Sequence, residues 1–213
     1  MKYKNRKIQI SCDGGAATGK STGAKMIAKK YKLKFLSSGL LYRYASFLIL
    51  KYNPKNKIAF LKKKFKSLNY KRLEKKNLHT PNISAYSSVI AKNNEIRKIL
   101  KHFQLRFVRK YKNCCIEGRD ISTKILPNSN LKFFFVCKLN VAAVRRFREL
   151  KKSNPHIRLK DVKKALRMRN LSDTKRKNSP LLKHKKAIVI DSGKYTKQAM
   201  LAKMIKHVEK VLN

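Results

Sequence analysis

Eight residues near the start of the chain, Gly14-Gly15-Ala16-Ala17-Thr18-Gly19-Lys20-Ser21, satisfy the pattern G-x-x-x-x-G-K-[ST]. Ahead of them residues 8–12 read as a short strand. Behind them residues 20–30 carry Ala24, Ile27 and Ala28 at helical spacing. A loop of small residues between a strand and a helix turns successive backbone N–H groups inward around phosphate oxygens, at the positive end of the helix. In that geometry Lys20 reaches the β- and γ-phosphates and the Ser21 hydroxyl ligates Mg²⁺. ATP with Mg²⁺ is therefore the expected ligand of residues 14–22, Thr22 included. The competing reading, a chance glycine-rich turn, is disfavoured by the flanking strand and helix.

Strand and helix signals alternate along the rest of the chain. Residues 41–50 read as a helix, and residues 51–77 are lysine-rich with poor periodicity. Beyond Pro81 the positions Val89, Ile90, Ile96, Ile99, Leu100, Phe103 and Phe107 predict one long amphipathic helix. Residues 114–117 and 131–136 are short apolar runs bounded by polar or turn residues, as buried strands are. Asn140 is placed to cap a helix running to about residue 150. Helices over 159–169 and 196–212 with a strand over 187–191 complete the pattern. Such alternation predicts an α/β protein with a parallel sheet flanked by helices on both faces, and the glycine loop after its first strand makes the P-loop NTPase fold the expectation. A length of 213 residues fits one domain.

The charge is unusual: 56 Lys and Arg against 10 Asp and Glu, a net +46 spread along the chain. Such a field attracts polyanions, among them ATP, nucleic acid and anionic membranes. Lysine filling exposed positions through compositional drift explains it without a selected surface. No RGG, zinc-finger or RRM signature accompanies it, so non-specific nucleic-acid binding is the most the charge implies. Drift does not explain the acids, however, since three of the five aspartates fall at Asp13, Asp120 and Asp173. The apolar runs at 45–50 and 133–137 are too short to span a bilayer. The first ten residues lack the apolar stretch of a signal peptide, and a cytoplasmic protein is expected. Cys12, Cys114, Cys115 and Cys137 show neither zinc-site nor disulfide spacing and read as small buried hydrophobes. The five histidines share no catalytic spacing.

Further blocks follow the loop in order: Phe35-Leu36-Ser37-Ser38-Gly39-Leu40-Leu41-Tyr42-Arg43, Glu117-Gly118-Arg119-Asp120, residues 169–181 (RNLSDTKRKNSPL), and Ile190-Asp191-Ser192. Together they resemble the bacterial cytidylate kinases, P-loop nucleoside monophosphate kinases, over nearly the whole chain. The resemblance implies a monomer that phosphorylates CMP and dCMP with ATP. It further implies a single domain over 1–213, with a short acceptor-binding insert at about 51–88 and a lid at about 169–181. An acceptor phosphate held beside a second polyanion needs convergent cations, for which Arg43 and Arg119 are the candidates. The resemblance adds Ser38 beside that phosphate, and Ser88, Arg97 and Asp120 at the base. In the lid it assigns Arg169, Asp173 and Arg176 to ribose, base and reacting phosphates. Lys20, Arg119, Arg169 and Arg176 would then neutralise the charge in transfer, with no protein nucleophile required.

Plainer readings stand beside these. Arg43 and Arg97 are helix cations in a basic chain, Ser88 is a solvated hydroxyl, and Asp120 orients Arg119 from behind. The chain also departs from the family pattern: Ala17 lies where glycine-rich sequence is usual, and Asn170 and Ser172 replace a common Asp and Arg. The insert is shorter than the family's usual three-stranded one, and a partly helical insert is expected. Two other functions remain open at this level: a P-loop kinase with another small-molecule acceptor, and a non-catalytic nucleic-acid-binding protein on a kinase scaffold.

Overall fold

In the computed structural model, which describes residues 7–74, 76–152 and 154–212, the chain divides into two units. The first comprises the residues up to Leu36 and those from Tyr111 onward, and the second is Ser37–Lys110.

The first unit is built on β1 (Gln9–Gly14), β2 (Lys34–Ser37), β3 (Cys114–Gly118), β4 (Leu131–Val136) and β5 (Ile188–Asp191). They form one parallel sheet in the order β2-β3-β1-β4-β5. The central β1 is buried along most of its length, pairing Asp13 with Gly118 of β3 and Gly14 with Phe135 of β4. Its carboxyl end is thus where the strand order departs in both directions, the usual ligand position in an open parallel sheet.

Helices α1 (Lys20–Lys30) and α9 (Lys197–Leu212) pack on the sheet through Ala24, Ile27, Met200, Met204 and Val208 against Ile10, Cys12, Phe133 and Phe135. Gly23 lets α1 lie flush, because a Cβ there would stand 2.8 Å from the Phe135 ring. A second cluster joins α7 (Leu139–Lys151) to α8 (Leu159–Lys175) through Ala142, Ala143, Val162 and Leu166, with Ala16 of the loop among them. Between β3 and β4 runs a single π-helical turn, Ile121–Ile125.

The second unit holds α2 (Ser38–Tyr52), α3 (Lys57–Lys66), α4 (Lys71–Glu74), α5 (Pro81–Ile90) and α6 (Asn94–Lys110), with no strand among its described residues. Its core contains Leu41, Leu61, Phe65, Leu73, Leu78 and Leu100, and Phe65 meets Phe103 edge-on. Arg106 donates to the carbonyls of Phe65 and Lys66, closing the C-terminal end of α3. The poor periodicity of 51–77 has a simple origin: α3 buries only Leu61 and Phe65, one turn apart, and lysines crowd its exposed positions.

The helix predicted beyond Pro81 is two helices. Asn93 interrupts it, its side chain accepting from the Ile96 amide and capping α6. Asn140 is not a cap either, since α7 starts at Leu139 with Lys138 before it. Helix α2 begins three residues earlier than expected because Ser37 accepts from the Leu40 amide. Helix α8 runs on to Lys175, meeting neither Gly nor Pro. Cys12, Cys114 and Cys115 are buried thiols as expected, and Cys137 is half-buried. No helix among the described residues is long and apolar enough to cross a membrane.

Candidate active site

The loop leaves β1 at Gly14, where φ is 154° and a Cβ would strike the carbonyl oxygen of Phe135. Ala17 and Gly19 also adopt positive φ, 56° and 77°. Thr18 Oγ1 donates to Gly15 O at 3.0 Å. Lys20, only 7% exposed, donates to the same carbonyl at 3.1 Å and lies 3.8 Å from the Glu117 carboxylate at the end of β3.

Two segments distant in sequence hold this loop. Ser192 Oγ donates to Thr18 O at 2.8 Å, while Arg145 donates to Ser192 Oγ and O at 2.8 and 2.7 Å. From α8, Asn170 Oδ1 accepts the Ala16 amide at 2.9 Å. The carboxamide lies so close over Gly15 that a Cβ there would stand 3.2 Å from Oδ1.

The extension of α8 puts Arg169 and Asp173 at i and i+4 on one face of its end, and Arg176 follows as the extended residue that ends the helix. Arg119, just past β3, donates its Nε to Asp173 Oδ2 at 2.8 Å, and Arg176 Nη1 lies 3.4 Å from Oδ1. Burial alone would raise the Asp173 carboxyl, but the guanidinium groups of Arg119, Arg169 and Arg176 bring it below its ordinary value. Asp120, next to Arg119, is buried. Hence the phosphate loop, Arg119, Asp120 and residues 169–176 belong to one unit, in which Asn170 bonds the loop while Arg119 and Arg176 bond Asp173.

Ser38, Arg43, Ser88 and Arg97 all lie in the second unit. Ser38 is buried in the first turn of α2, whose start is fixed by the Ser37 cap and by the Ser37 amide donating to Tyr70 Oη at 2.8 Å. One turn on, the Arg43 guanidinium folds back over Gly39, 3.3 Å from where a Cβ would be. Arg97 on α6 donates to Ala91 O at 3.2 Å and sits over the Tyr42 ring. Ser88 is half-exposed on α5.

The family model described as Cytidylate kinase matches residues 10–210. The chain belongs to the cytidylate kinase family. It is 34% identical to a cytidylate kinase of Clostridium botulinum (strain Okra / Type B1), covering 95% of this chain and 98% of that one. For the Clostridium tetani cytidylate kinase the figures are 32%, 97% and 96%. Among solved structures, shikimate kinase from Bacteroides thetaiotaomicron superposes with TM-score 0.52 at 12% identity, over 95% of this chain and 98% of that one. An uncharacterized protein from Eubacterium ventriosum gives 0.57 at 16% identity, over 96% and 99%. These two likenesses concern the fold.

Three residues of the site have no role in the sequence reading. Arg145 is one cation among many on α7, and nothing in its spacing marks it. Ser192 is visible only as a strand end. Glu117 carries a signal, an acid closing an apolar strand, and the structure buries it to 3% exposure against Lys20. No group of three or more His, Cys, Asp or Glu is placed to hold a metal among the described residues.

Proposed function

We propose that the protein transfers the γ-phosphoryl group of ATP to CMP, and to dCMP, by in-line attack of the acceptor phosphate oxygen. One observation carries the reading: Arg119, Arg169 and Arg176 gather around Asp173, on the helix whose Asn170 holds the phosphate loop. Phosphoryl transfer needs positioned cations more than it needs a nucleophile, and this arrangement supplies them. Lys20 neutralises charge developing on the transferred group. Arg119 and Arg43 bind the acceptor phosphate with Ser38, while Asp120, Arg97 and Ser88 read the base. Arg169, Asp173 and Arg176 act from the lid, excluding water that would hydrolyse ATP.

Mg²⁺ would be held by the Ser21 hydroxyl together with substrate phosphates, the few-ligand mode in which this ion commonly binds. When bound it screens the β- and γ-phosphate charge. The enzyme acts as a cytoplasmic monomer in this reading, and the +46 charge draws nucleic acid only without sequence preference.

An ADP-release assay across CMP, dCMP, UMP, AMP and GMP tests the proposal. CMP and dCMP should be the preferred acceptors. Faster turnover of AMP or GMP would overturn the acceptor assignment.

A further inference from the structure

Asp13 is the last residue before the phosphate loop, and its side chain points away from that task. It is 0% exposed, and its carboxylate accepts three hydrogen bonds: Ile121 N at 2.8 Å, Ser122 N at 2.7 Å and Ser122 Oγ at 2.5 Å. These donors open the π-helical turn that follows Arg119 and Asp120. The first amides of any helical turn lack partners within it, and the residue at the cap position normally supplies one. Here that residue is Asp120, and its side chain makes no capping bond. Asp13 supplies the cap from the neighbouring strand, where its pairing with Gly118 holds it beside the same turn.

We infer that Asp13 is a positioning residue for the acceptor: by capping the Ile121–Ile125 turn in place of Asp120, it fixes the backbone from which Arg119 and Asp120 are presented to the nucleoside monophosphate. The inference rests on the acceptor roles proposed above for those two residues. A carboxylate suits the position because every group facing its oxygens is a donor. An amide would turn an NH₂ toward N–H groups and leave at least one buried donor unsatisfied. Burial, with the neighbouring Asp120 charge, raises the Asp13 carboxyl above its ordinary value, and the bonds from Ser122 and Ile121 offset part of that rise. One side chain thereby ties the end of the donor loop's strand to the acceptor-facing turn.

The test uses the full chain with Asp13→Asn and the gentler Ser122→Ala, which removes one of the three donors. Steady-state constants are measured for CMP, UMP and ATP, with thermal midpoints alongside. Asp13→Asn should raise KM for CMP about tenfold and narrow the CMP-to-UMP ratio of kcat/KM, with KM for ATP within about twofold of wild type. Ser122→Ala should move the same quantities in the same direction, roughly threefold. Equal losses for CMP and ATP, or an unchanged KM for CMP, would overturn the inference. Should Asp13→Asn not fold, Ser122→Ala decides alone. A wild-type enzyme that ignores CMP would instead sink the acceptor reading, which separates the two failures.

Discussion

Arg119 and Asp173, 54 residues apart, are joined by a hydrogen bond of 2.8 Å between the turn after β3 and the last turns of α8. The Asp173 carboxyl lies below its ordinary value of 3.8, so near that pH the folded chain binds fewer protons than the unfolded one. Its contribution to stability is complete above the unfolded value and is lost as the pH falls toward the folded one. Thermal midpoints measured between about pH 5 and pH 3 should therefore drop less steeply in Asp173→Asn than in wild type. Identical acid dependence would show that the carboxylate is not held by its arginines.

Lys20→Ala removes the cation that bonds Gly15 O and faces Glu117. Turnover should fall about 10²–10³-fold, the usual cost of losing a charge-stabilising donor. Glu117 then remains as a buried carboxylate, so the thermal midpoint should fall too. A folded variant with near wild-type turnover would refute the phosphate-loop assignment.

Cytosine offers an N4 amino donor where uracil offers O4, and a carboxylate accepts only from the former. Asp120→Asn should lower activity on CMP and reduce the CMP-to-UMP ratio of kcat/KM by about 1–3 kcal/mol, without a matching change in KM for ATP. If both acceptors lose activity alike, Asp120 serves Arg119 and does not read the base.

Ala17 carries φ of 56°, a conformation that costs a residue with a Cβ about 1–2 kcal/mol. Ala17→Gly should raise the thermal midpoint by roughly 2–4 °C for each kcal/mol recovered. A lower midpoint would mean that the Ala17 methyl group, which packs on the α7–α8 cluster, contributes more than the strain removes.

The parallel sheet and the phosphate loop were legible because their signals are local: a short strand, small residues, then helical spacing. The second unit was less so. Its α3 buries two side chains one turn apart beneath a coat of lysines, and the Asn93 cap that divides α5 from α6 interrupts an apolar pattern that otherwise runs on. Of the site, the blocks around Arg43, Arg119 and Arg169 stand out as motifs. The braces do not, because Arg145 to Ser192 and Asn170 to Ala16 are pairings across 47 and 154 residues, with no shared periodicity to reveal them.

The brace from Ser192 to Thr18 spans 174 residues, and this bears on biosynthesis. The phosphate loop leaves the ribosome early, but the hydroxyl that holds it arrives only after β5 has been made. Domains fold as units while they are synthesised. A nascent chain halted before residue 192 should thus carry the complete glycine motif and still fail to retain ATP, so that nucleotide capture marks the end of translation of this unit and not its beginning.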